Sequence, residues 1–208
     1  MSDYIRTALG ASNHCEHSRA EADYYSTDPR AVEWLLKIEP FLGDIWEPAC
    51  GENAMVDVLR AAGKTVRASD VIVRRDGVEQ LDFLSVSEAA HGVDIVTNPP
   101  FKYAKEFVER ALALVDDGRY VCMFLRLTFL EGQARRKLFE DNPPIHVWVS
   151  SSRLACYKDG IVKDYSSPCC YAWFVWKKGW HGPTDLGWFN CYGKTKERER
   201  EYGDDTIY

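Results

Sequence analysis

The sequence contains no apolar run approaching the roughly 20 residues a membrane-spanning helix needs. No membrane partner is therefore expected. It also has no cysteine framework. Seven cysteines, at 15, 50, 122, 156, 169, 170 and 191, form an odd set without regular spacing, which points to reduced thiols rather than a disulfide-stapled fold. The opening stretch MSDYIRTALGASNHCEH lacks the apolar core of a secretory signal, so a cytoplasmic location is expected. Net positive charge is missing too: the formal charge is −6, and composition alone does not announce a nucleic-acid partner. No internal repeat or low-complexity tract is present. GxxxxGK[ST] and GxGxxG are both absent, which excludes a P-loop and weakens a dinucleotide site. The one metal-like group, His14, Cys15 and His17, has no second cluster to complete it, so no metal is expected.

What is present is ample material for a core: 208 residues, 46% hydrophobic and 13% aromatic. The charge is unevenly spread. Residues 1–125 carry 13 Lys and Arg against 21 Asp and Glu, while residues 126–200 carry 13 against 8. A basic second half can form an electrostatic face for a polyanion, or can be ordinary fluctuation along a chain.

Hydrophobic periodicity divides the chain into alternating elements. A helix is expected from Asp28, with Pro29 in the first turn. GDIWEPAC reads as a strand running into a turn, and NAMVDVLRAAG as a helix closed by Gly63. TVRASDV is a strand and GVEQLDFLSVSEAAHG a loop with a helical piece. VDIVTNPPF is a strand and KYAKEFVERALALVDDG a helix. RYVCMFLRLTFL is a strand and EGQARRKLFEDNPP a helix. IHVWVSSSR and CCYAWFVWKKG are two closing strands. Alternation of this kind predicts an α/β fold with a mostly parallel sheet and helices on both faces. The strand without a preceding helix predicts an antiparallel partner at that edge. Residues 1–22 read as loosely structured, 23–180 as one domain with a short 151–168 insertion, and 181–208 as a C-terminal extension.

Four segments could carry chemistry. WEPACGEN, from Trp46 to Asn53, is either a plain strand-to-helix turn or a loop whose free N–H groups meet a ligand. Asp70 closes the next strand and is either a solvated turn residue or an acceptor for two ribose hydroxyls. Asp82 with Phe83 could accept an exocyclic amino group and pack on an adenine. Asn98-Pro99-Pro100-Phe101 could be a simple strand stop. Its prolines also remove two N–H donors and hold the chain extended. Their carbonyls and the Asn98 amide could then accept from an amine, with Phe101 as a stacking face.

The ordered series DYYSTDP, EPACGEN, SD, LDF and NPPF resembles S-adenosylmethionine-dependent methyltransferases that act on exocyclic amino groups. Within these it looks most like the small DNA adenine-N6 enzymes of phages and prophages. The resemblance spans residues 23–180 and implies a Rossmann-like class I methyltransferase fold with a seven-stranded, mostly parallel sheet and an antiparallel last strand. It implies S-adenosylmethionine as cofactor, with Tyr25 and Thr27 at its methionine end and Glu47 near its amino group. Ala49, Cys50, Gly51 and Asn53 would form the loop beneath it. Asp70 would hold the ribose, Asp82 and Phe83 the adenine, and Asn98 to Phe101 the target amine, with Asn98 also touching the cofactor. Asn53 stands where the family usually has a second glycine, and asparagine tolerates left-handed backbone well. Lys102, Arg126, Arg153, Lys158 and Lys163 are the candidate phosphate contacts. DNA is the expected partner, with RNA or a protein glutamine amide as alternatives for the same chemistry and a partner-binding protein without activity as a further one. The small surface available for reading a sequence implies a short site, loose specificity or a second subunit.

Overall fold

The structure, a computed structural model, describes residues 25–39, 43–152, 154, 157–158 and 169–191. Ten strands and four α-helices follow in chain order: β1 (Tyr25–Ser26), α1 (Pro29–Ile38), β2 (Asp44–Glu47), α2 (Ala54–Ala61), β3 (Val66–Asp70), β4 (Glu79–Gln80), β5 (Val93–Thr97), α3 (Ala104–Leu114), β6 (Tyr120–Arg126), α4 (Gln133–Asp141), β7 (His146–Ser150), β8 (Tyr157–Lys158), β9 (Tyr171–Lys177) and β10 (Asp185–Phe189).

Eight of the strands form one sheet in the order β10-β7-β9-β6-β5-β2-β3-β4. All neighbours are parallel except β9, which runs antiparallel to both β6 and β7. The mostly parallel sheet expected from the sequence is present, and β9, the last strand read there, is antiparallel. Two details differ: β10 adds an eighth strand, and β9 lies inside the sheet rather than at its edge. The reason lies in its composition. Tyr171 to Trp176 are apolar and buried at every position, so β9 must be covered on both faces and flanked on both sides. The last strand, β10, pairs parallel to β7 and comes from the segment beyond residue 180 that reads as an extension. Leu186 and Trp188 on it are exposed, as an edge position allows.

Successive residues along the strands feed two separate cores, as the two-residue period demands. Trp46, Ile95, Val121, Met123, Leu125, Ala172, Phe174 and Trp176 join α3 and α4 on one face. Ile45, Val96, Cys122, Phe124, Tyr171, Trp173 and Val175 join α1 and α2 on the other. The helices thus cover both faces. The sheet's parallel strands end together, and the helix-leading turns cluster at that edge. Helix α1 begins as the sequence indicates: the Asp28 carboxylate accepts from Arg30 N at 3.0 Å, with Pro29 in the first turn. At the opposite ends of the strands Asp94, the acid inside VDIVT, is buried and accepts from Gly43 N at 2.7 Å and Tyr120 N at 2.9 Å. That acid ties three segments together. No described helix is long and apolar enough to cross a membrane.

Candidate active site

The turn after β2 is built around one buried carboxyl. Glu47 is 1% exposed. Its Oε1 accepts from Ala49 N at 3.0 Å and from Thr97 Oγ1 at 2.5 Å, while Oε2 is buried with no hydrogen-bond partner. Burial pushes its pKa up to about 8, against the two hydrogen bonds that lower it; the nearby Asp70 adds to the rise. Half of this carboxyl is therefore unsatisfied at the floor of the loop, and a buried acceptor in that state calls for a donor or cation.

The loop above it is held by Asp70. Gly51 N donates to Asp70 Oδ2 at 2.8 Å, and Cys50 N to Ser69 O at 3.1 Å. Asp70 Oδ1 accepts from Ile72 N at 2.9 Å and faces Arg74 Nη1 at 3.4 Å. So Asp70 closes β3 as expected and also braces the neighbouring loop, leaving part of its acceptor capacity for a ligand. The loop turns twice into left-handed backbone, at Gly51 (φ 54°) and Asn53 (φ 66°). Asn53 is the single non-glycine residue with positive φ among the described residues, which bears out the reading of asparagine as a stand-in for glycine. Its side chain does not cap α2, and its Oδ1 is buried without a partner. Cys50 is buried, and desolvation, reinforced by Glu47 and Asp70, drives its thiol up to about 12. It stays a neutral packing residue with no character of a nucleophile.

Asp82 begins a 3-10 turn over Phe83–Ser85, where its Oδ1 accepts from Leu84 N at 3.0 Å. It is exposed, next to the β4 edge. Phe83 corrects its expected role. The ring is 2% exposed and lies between Trp46 and Phe107, at centroid distances of 5.2 and 5.0 Å. It is core, so only Asp82 and the backbone of this pair can face a ligand.

At the end of β5, Asn98 Nδ2 donates to Thr27 Oγ1 at 3.0 Å, which turns its amide oxygen the other way. Thr27 is buried at the foot of α1, so the DYYSTDP and NPPF segments meet side chain to side chain. The two proline carbonyls differ, which sharpens the expectation that both are offered to an amine. Pro100 O accepts from Tyr103 N at 2.9 Å and closes a 3-10 turn over Phe101–Tyr103 that leads into α3. Pro99 O has no such duty. Phe101 is half-buried, with Tyr171 at 5.9 Å and the Arg126 guanidinium 4.5 Å over its ring. One face of the ring expected to receive a base is covered by an arginine. Lys102 is exposed, its Nζ 5.2 Å from the Tyr103 ring.

Tyr25 pairs with Lys158 through the backbone of the small β1–β8 sheet, which brings Tyr157 and Lys158 beside Tyr25 and Ser26. The side chains of Tyr25 and Lys158, and Arg153 and Lys163, lie outside the described residues. Sequence reasoning missed Thr97 and Arg74. Thr97 is a polar residue ending an apolar run one position before Asn98, and that was the available signal. Arg74 stood four residues from Asp70 with nothing to mark it. Among the described residues no cluster of three or more potential metal ligands occurs.

No family model matches the chain, and no curated protein matches it by sequence. Solved structures do match. A Listeria monocytogenes protein assigned to class I S-adenosylmethionine-dependent methyltransferases superposes with TM-score 0.56 at 13% identity, over 89% of this chain and 71% of that one. The type IIG restriction endonuclease BpuSI gives TM-score 0.56 at 16% identity, over 77% of this chain and 26% of that one. The M protein of the type I restriction enzyme EcoKI gives 0.53 at 11%, over 86% and 52%. The chain thus spans about half the EcoKI protein and a quarter of BpuSI. At such identities the likeness speaks for architecture, and by it this chain has the Rossmann-like class I methyltransferase fold.

Proposed function

We propose that this protein is an S-adenosylmethionine-dependent methyltransferase acting on the exocyclic N6 amino group of adenine in DNA. One observation carries the reading. Glu47, Thr97, Asn98 and Thr27 form a continuous arrangement at the strand ends: Thr97 donates to Glu47, and the adjacent Asn98 donates to Thr27. The cofactor half and the amine half are therefore neighbours.

The residues fit the cofactor. The orphaned Glu47 Oε2 suits an α-ammonium group, the spare lone pairs of Asp70 suit ribose hydroxyls, and exposed Asp82 suits an exocyclic amine. When bound, S-adenosylmethionine supplies a methyl group on a sulfonium that is already strongly electrophilic. The protein's task is then orientation. The Asn98 amide oxygen and the Pro99 carbonyl accept the two amino hydrogens of the target, which aims the nitrogen lone pair. No covalent nucleophile is called for, in keeping with the neutral Cys50 thiol. A base in duplex DNA has to leave the stack to reach this position, at a cost of a few kcal/mol. The presence of restriction enzymes among the structural relatives favours DNA as the first acceptor to try.

The test offers labelled S-adenosylmethionine with unmethylated DNA, total RNA and a protein extract in parallel. Label in DNA that digests to N6-methyladenine is the expected result. Label in RNA or protein alone would move the acceptor, and failure to bind the cofactor in calorimetry would end the enzymatic reading.

A further inference from the structure

We infer that Arg126 is an exchangeable cover on Phe101 that moves onto a phosphate of the nucleic acid when the target base takes its place on the ring. The inference rests on the reading above, in which Asn98 to Phe101 hold the target base, and it assigns the substrate class as a polyanion.

Arg126 ends β6, and its guanidinium carbon sits 4.5 Å over the Phe101 ring. Arg30, Arg67, Arg74, Arg75 and Arg136 are each paired with a carboxylate. Arg126 has no ion pair among the described residues, and its Nε is buried without a hydrogen-bond partner. A buried guanidinium N–H without an acceptor is costly and asks for an explanation. The ring satisfies the charge in part but none of the five N–H groups.

Arg126 borders a cavity of about 150 Å³ whose wall also includes Phe101, Thr128, Phe129 and Arg135. A water needs only roughly 10–15 Å³ of such space, so an oxyanion fits. Arg135 has donors committed to the Phe129 and Thr128 carbonyls, at 2.8 and 3.2 Å, but keeps its charge. None of the lining residues is acidic. A wall with two guanidinium groups, a threonine hydroxyl and no carboxylate selects an anion, and a guanidinium fork matches phosphate geometry in particular.

The two occupants of Arg126 exclude each other. While it lies on Phe101 it takes the face a base would stack on. Once it reaches a backbone phosphate, it no longer covers that face. Phosphate binding and base stacking thus reinforce each other. A protein amide brings no phosphate and would not clear the ring in this way.

The experiment measures binding of the full chain to a short single-stranded DNA oligonucleotide across a salt series, for wild type, Arg126→Ala, Arg126→Gln and Arg126→Lys. Melting curves accompany each, and Arg126→Gln carries the comparison if Arg126→Ala melts early. The neutral variants should bind about tenfold more weakly at low salt. They should lower the slope of log K against log salt by about 0.7, the value for one phosphate contact on a single strand. Arg126→Lys should keep the slope, and cofactor affinity should be unchanged throughout. A folded neutral variant with wild-type slope and affinity, in a protein that does methylate DNA, overturns this inference alone. A wild-type chain that binds no oligonucleotide overturns it together with the DNA reading.

Discussion

Thr97 Oγ1 donates to Glu47 Oε1 at 2.5 Å, and this contact joins the end of β5 to the end of β2. Glu47 stays half-satisfied and fully buried, and burial raises its pKa from 4.5 to about 8 against the lowering effect of this bond. A raised folded-state pKa has a fixed consequence. Glu47 is protonated in both states below about pH 4.5 and contributes no penalty there. As pH rises from the unfolded pKa toward the folded one, stability is lost, on the order of a few kcal/mol in all. Glu47→Gln should remove that loss. Urea unfolding at pH 5.5 and pH 8 should show wild type losing stability and the variant holding it; parallel behaviour would mean Glu47 is not the titrating group.

The same carboxyl predicts a proton linkage for the cofactor. An ammonium beside Oε2 favours the ionised form, so binding near pH 7 should release protons. Affinity should strengthen as pH rises toward 8. Calorimetry in buffers of different ionisation enthalpy reads the release directly, and Glu47→Gln should abolish it.

Asn53 holds a left-handed conformation at φ 66°. A β-branched or alanine side chain gains nothing there and meets the carbonyl clash that costs roughly 1–2 kcal/mol. Asn53→Ala should therefore be about 1 kcal/mol less stable than Asn53→Gly. Equal midpoints and slopes in urea would show that the loop relaxes into another geometry.

Gly187 lies under Trp148. A Cβ at that position would come within 2.1 Å of the indole. Gly187→Ala should force the ring away, with the loss of its bond to Glu39 Oε1, now 2.9 Å, and should cost about 1–3 kcal/mol. Thermal melts would register it; an unchanged melting temperature would mean that β10 can leave the sheet without consequence.

That glycine also explains what the sequence conceals. β10 reads poorly as a strand because Asp185 and Gly187 interrupt it, yet the glycine is there for Trp148. The internal position of β9 was written in its unbroken apolar run, but nothing local says which strands flank it. Among candidate site residues, the strand-end positions of Asp70 and Asn98 were legible because strand ends followed by turns are predictable. Phe83 was not, because an aromatic beside an acid looks the same whether it faces a ligand or Trp46. The Arg126–Phe101 contact joins two residues 25 positions apart in sequence, and no local pattern marks it. Asp94 is an acid inside an apolar strand, and the Gly43 and Tyr120 amides, with Arg119 nearby, account for it.

Asn98, whose amide Thr27 holds, is the residue proposed to accept the target amine. Asn98→Ala removes the acceptor without touching Glu47 or the Gly51–Asp70 bond. Single-turnover methyl transfer to DNA, measured beside cofactor affinity, tests it most directly. The predicted result is transfer slowed about a hundredfold or more, with cofactor affinity within a few-fold of wild type. Equal losses in both, or full transfer by the variant, would contradict the assignment.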